Sequence, residues 1–179
     1  MTVPRTRRVP QLSSPFAASL TLPNSLPRPA ESLYPEIFRV GDGYPTAAEF
    51  EVSTHNDAKG YGVYARRDFA RGYRICKISG TVVHEVMQHT LQIGPDSHLY
   101  DPYFTGYLLH SCDPNTFLDM QRFELWAVKD IRAGEALTMD YASTEDVLFK
   151  QFPCLCGAPN CRKWISGRRE PARMPSLAE

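Results

Sequence analysis

Cys154, Cys156 and Cys161 lie in "CLCGAPNC" with the spacing C-x-C-x4-C, and a further cysteine, Cys112, stands alone in "HSCDPN" at 110–115. Cys154 and Cys156 are too close along the chain for an unstrained disulfide. Thiolates at this spacing, with Gly157 and Pro159 bending the chain between them, can wrap a tetrahedral ion at Zn–S of about 2.3 Å. Three thiolates leave one corner of a structural zinc site open, and Cys112 is the best-placed residue to close it. His89, His98 and His110 are alternative ligands, but four thiolates make them unnecessary. Cys76, inside an apolar run, reads as a small core residue.

The chain that must position these residues has 179 residues, enough for one domain with a real core. Its 20 basic and 20 acidic residues cancel, so no global field points to nucleic acid or a membrane surface. No apolar run approaches the ~20 residues that span a bilayer. The N-terminus carries arginines without a following apolar stretch, which excludes a secretory signal. The expected compartment is therefore reducing (cytoplasm, or nucleus in a eukaryote), where clustered cysteines read as metal ligands before disulfides.

Residues 1–35 hold seven prolines and almost no acid, the composition of a disordered tail or linker, with arginines and serines that also resemble an organelle transit peptide. Residues 168–179 read as a second disordered end. Between them lie short β-rich runs at 49–55, 62–65, 73–80, 89–94, 123–128 and 136–139, bounded by Gly, Pro or Asp. The pattern predicts only two short helices, Val83–Gln88 and Thr144–Gln151. "DFARGYRI" (68–75) and "DIRAGEAL" (130–137) share one pattern, in which the Asp starts a turn and the Gly tolerates positive φ. The reading is a mainly β chain of small sheets.

"KGYGVYA" (59–65), "HSCDPN" (110–115), "AVKDIRAGEALTMDY" (127–141) and "CLCGAPNCRKW" (154–164) occur in the order found in SET-domain methyltransferases with a post-SET zinc segment, and the chain resembles that family over roughly 47–165. The resemblance implies a SET-type β-clip of small curled sheets with a C-terminal pseudoknot: a SET domain at 36–150, a post-SET zinc lid at 151–167, and tails at 1–35 and 168–179. It implies one zinc on Cys112, Cys154, Cys156 and Cys161. It further implies transfer of a methyl group from S-adenosylmethionine (SAM) to an amine, foremost a lysine ε-amine of a protein or peptide. The alternatives are a small-molecule substrate, or a catalytically silent binding module. Nucleic acid and membrane are not among the implied direct partners.

Carried over by motif, Tyr141 is the catalytic tyrosine. Lys59, Gly60, Tyr61 and Gly62 approach the cofactor, Leu109 and His110 present backbone groups to its adenine, and Leu155 and Trp164 belong to the lid. Met139 stands at the channel position that sets how many methyls are added. The chain also departs from the family. Gly106 replaces an arginine and Leu109 an asparagine in the stretch before "HSC", so the cofactor pocket is expected to differ from the family's usual one.

Overall fold

The computed structural model describes residues 31–56 and 60–173, and within them the chain forms five small sheets. β1 (Phe50–Asn56) pairs antiparallel with β2 (Gly60–Ala65). β3 (Arg74–Lys77), β8 (Thr116–Asp119) and β9 (Glu124–Ala127) form one three-stranded sheet with β9 at its centre. β4 (Thr81–Val83), β5 (Thr90–Gly94) and β6 (Ser97–Tyr100) form a second, with β6 at its centre. β7 (Leu109–His110) pairs in parallel with β10 (Thr138–Met139), and β11 (Phe152–Pro153) pairs antiparallel with β12 (Trp164–Ile165).

Alternation decides which faces are buried. In β8 Thr116 and Leu118 point inward while Phe117 faces out, and in β9 Leu125 and Ala127 point inward. β2 is covered on both faces from Gly62 to Ala65. The core is strongly aromatic: Phe50 stacks on Phe69 with centroids 5.5 Å apart and meets Phe104 edge-on at 5.0 Å. Each such fully buried ring contributes on the order of 1.5–3 kcal/mol.

The two Asp…Gly turns pair with each other. Phe69 and Ile131 exchange backbone hydrogen bonds of 2.8 Å in both directions. Asp68 Oδ1 accepts from Ala133 N (2.9 Å), and Asp130 Oδ1 accepts from Arg71 N (2.8 Å). Gly72 N donates to Ala127 O and Gly134 N to Ala65 O, so the relation repeats on both sides. Gly72 and Gly134 sit at φ +81 and +89, where a Cβ is disfavoured. Each aspartate thus caps its twin's turn, an internal two-fold relation that the repeated sequence only hinted at.

Neither predicted helix forms. Val82 and Val83 join the β4–β6 ladder instead, and Thr90 closes a turn onto the backbone of Met87. Over Thr144–Gln151 the backbone finds distant partners: Asp146 N donates to Gln92 Oε1 (2.7 Å) and Leu148 N to Glu170 Oε1 (3.2 Å). Stretches this short cannot meet the cost of helix nucleation when long-range partners compete. The ends of the expected tails are also engaged. Tyr34 is fully buried and donates to Asp101 Oδ2 at 2.7 Å, while Arg168 Nε donates to Asp146 Oδ1 at 2.9 Å. Residues 1–30 and 174–179 lie outside the described residues. No described helix is long and apolar enough to cross a membrane.

Candidate functional site

The parallel pair β7–β10 carries the site. Leu109 N donates to Leu137 O (3.2 Å) and Ser111 N to Met139 O (3.0 Å). Asn115, the last residue of "HSCDPN", fixes the register. Its Oδ1 accepts from Thr138 N (2.8 Å) and its Nδ2 donates to Ala136 O (2.9 Å). Cys112 and Tyr141 are thereby held just beyond the ends of two bonded strands.

The ligand sulfurs of Cys112, Cys154, Cys156 and Cys161 lie within 4.8 Å of one another. Cys112 Sγ and Cys154 Sγ are 3.8 Å apart, matching the edge of about 3.8 Å that a tetrahedral ion with Zn–S near 2.3 Å requires. Backbone N–H groups point at the sulfurs: Arg162 N to Cys112 Sγ at 3.3 Å and Lys163 N to Cys161 Sγ at 3.4 Å. Such donors favour thiolate, and those of Cys112 and Ala158 help hold the Cys156 thiol down at about 6. The donor set and its spacing fit zinc. Asn160 Nδ2 donates to Cys112 O (3.0 Å), and Arg162 pairs with Asp140, so side chains also tie the C-terminal segment to β7 and β10.

His110 is a neighbour of this cluster. Tyr141 N donates to His110 Nδ1 (3.4 Å), which leaves Nε2 to carry the proton towards Cys112 Sγ, also at 3.4 Å. Burial pushes the imidazole down to about 4, so it is neutral. His110 thus stands beside the four-sulfur cluster and donates towards one of its members.

Tyr141 opens a short 3-10 turn, Tyr141–Ser143, capped by the Asp140 side chain. Its hydroxyl donates to Leu108 O at 2.8 Å, and burial, helped by the Glu145 carboxylate, pushes its pKa up to about 12. The ring packs edge-on against His110 and Phe152, with centroids 5.2 and 5.8 Å away. It lines three cavities at once. One of 480 Å³ includes Gly60, Tyr61, Tyr107 and Leu109. A second of 160 Å³ includes Leu109, His110, Phe152 and Leu155. A third of 460 Å³ reaches Met139, Glu145 and Phe149 and shares Leu108 with the first.

Most of the residues singled out from sequence therefore converge. Gly62 lies against Leu109, where a Cβ would stand 2.9 Å from Leu109 Cδ1. Met139 is buried on the wall of the 460 Å³ cavity. Trp164 lines none of the three cavities; its Nε1 donates to Gln151 Oε1 at 2.9 Å. Lys59 lies outside the described residues. Sequence reasoning missed Phe152, Tyr107 and Glu145 as cavity walls and gave His89 no place beyond a dispensable ligand.

Residues 60–142 match the family model described as "SET domain". The histone-lysine N-methyltransferase, H3 lysine-36 specific, of Debaryomyces hansenii is 29% identical over 138 residues, covering 64% of this chain and 19% of that protein. The methyltransferase flvH of Aspergillus flavus is 34% identical over 83 residues, covering 45% of this chain and 47% of that one. The chain thus spans about a fifth of the first relative and about half of the second. Among solved structures, KRYPTONITE in complex with mCHG DNA and S-adenosylhomocysteine (SAH) aligns with a TM-score of 0.55 at 29% identity, covering 64% of this chain and 28% of that one. The methyltransferase domain of human SETMAR aligns with a TM-score of 0.53 at 20% identity, covering 66% and 58%, and supports the fold. Sequence match and fold agree on this stretch: residues 60–142 are similar to a SET domain.

Proposed function

We propose that this chain is a SAM-dependent methyltransferase acting on an amine, foremost the ε-amine of a lysine in a protein or peptide. The observation that carries the reading is Tyr141, the shared wall of three cavities, its hydroxyl fixed on the Leu108 carbonyl. SAM, when bound, supplies an electrophilic methyl group on a sulfonium. Gly60, Tyr61, Gly62, Leu109 and His110 offer backbone and ring surface for it beside the 480 and 160 Å³ cavities, and Leu155 covers the second. The amine enters from the 460 Å³ side.

The Tyr141 hydroxyl spends its only proton on Leu108 O, so towards the cavities it is an acceptor. An acceptor there takes an N–H of the incoming amine and aims the nitrogen lone pair, a gain of orientation. The elevated pKa keeps the hydroxyl protonated and the bond to Leu108 intact at neutral pH. Leu108 and Met139 give the channel apolar walls, which favour the neutral, nucleophilic amine, while the Glu145 carboxylate in the same cavity works the other way. Cys112, Cys154, Cys156 and Cys161 would hold zinc and brace the lid that carries Leu155; Trp164 belongs to the same segment.

The test is transfer of labelled methyl groups from SAM into a cell lysate by the zinc-loaded chain. Label in the protein fraction, on lysine after hydrolysis, supports the reading. Label confined to small molecules keeps the chemistry and removes the protein substrate, and no label beyond a no-enzyme control removes the enzyme.

A further inference from the structure

His89 packs directly against Gly106, the position at which the family's pattern has an arginine. A Cβ built on Gly106 would collide with Asp101 O and lie 2.5 Å from His89 Cβ and 2.9 Å from His89 Nδ1, so the backbone here leaves no room for a side chain at 106. His89 is held there by several bonds. It sits at φ +70, a conformation that few residues other than glycine adopt. Its backbone carbonyl accepts from Asp101 N (3.0 Å), its Nδ1 lies 2.8 Å from Gly106 O, and its ring packs 4.7 Å from that of Tyr107. It lines both the 480 Å³ and the 460 Å³ cavities.

The hydrogen bond fixes the ring chemistry. A carbonyl can only accept, so Nδ1 carries the proton, and in the neutral ring Nε2 keeps its lone pair. No described residue bonds to Nε2. Among the described residues no carboxylate lines the 480 Å³ cavity, and the amino-acid end of SAM brings an ammonium that needs acceptors. Resting on the methyltransferase reading above, we propose that His89 is a cofactor-positioning residue whose Nε2 accepts a hydrogen bond from that ammonium.

The experiment is calorimetric titration of the zinc-loaded full chain with SAH and with its analogue lacking the α-amino group. Wild type should bind SAH about 10-fold or more tightly than the analogue, the range of a hydrogen bond to a charged group. His89→Asn tolerates positive φ and keeps an N–H for Gly106 O while removing Nε2. It should lose that preference, binding SAH about 10-fold more weakly and the analogue as wild type does. Equal affinity of wild type for the two ligands overturns the proposal without any variant. So does an Asn variant that binds SAH unchanged, or that loses affinity for both ligands alike. A wild type that binds neither ligand overturns the proposal together with the methyltransferase reading, whereas the preceding outcomes leave that reading standing.

Discussion

Met139, buried beside Tyr141 on the wall of the 460 Å³ cavity, offers a thioether where a hydroxyl would hold water. Met139→Tyr should anchor such a water, crowd the amine and shift products towards monomethyl-lysine, from a wild type that yields di- or trimethyl-lysine. Mass spectrometry giving monomethyl-lysine alone from both proteins would remove the switch role. That Tyr141, Met139 and the cysteines gather around β7 and β10 was legible in the sequence because each stands at a fixed place in a motif. Phe152 and Tyr107 were not, since they become cavity walls only when β11 and the 105–107 turn pack beside β7. For His89 a signal existed in Gly106, a missing side chain that implies a neighbour in its place.

Among the elements, the reciprocal Asp68/Asp130 turns brace the Phe69–Ile131 bridge that joins β2, β3 and β9. Their glycines hold equivalent positive-φ positions with open space around them, so the cost of a Cβ there is conformational. Gly72→Ala and Gly134→Ala should each lose on the order of 1 kcal/mol, and by similar amounts. Urea unfolding with an unchanged m-value checks this; a loss at one position only would show that the two turns are not mechanically equivalent. The longer strands were legible from β-rich runs between Gly, Pro and Asp. Two-residue strands such as β7, β10, β11 and β12 leave almost no periodicity to read, and the two absent helices show tertiary hydrogen bonds overriding a local pattern.

On the scale of the whole molecule, the cysteine cluster joins the end of β7 to the β11–β12 hairpin, 42 residues further along between Cys112 and Cys154. Removing one corner should release the hairpin that covers the 160 Å³ cavity. Cys112→Ser should therefore lower zinc content and SAM affinity together, and full zinc content with wild-type affinity would remove Cys112 from the ligand set. The contacts at the two ends of the described chain were not legible from composition. Tyr34 and Arg168 look like tail residues until Asp101 and Asp146, distant in sequence, supply their partners. The central claim is that Tyr141 orients the attacking amine without holding the cofactor. The most direct measurement is methyl transfer from SAM to a lysine substrate recovered from the lysate screen, compared between wild type and Tyr141→Phe with SAM affinity measured in parallel. A fall of ~10²-fold or more in turnover with SAM binding within about 3-fold of wild type is the predicted result. An undiminished Tyr141→Phe enzyme would contradict it.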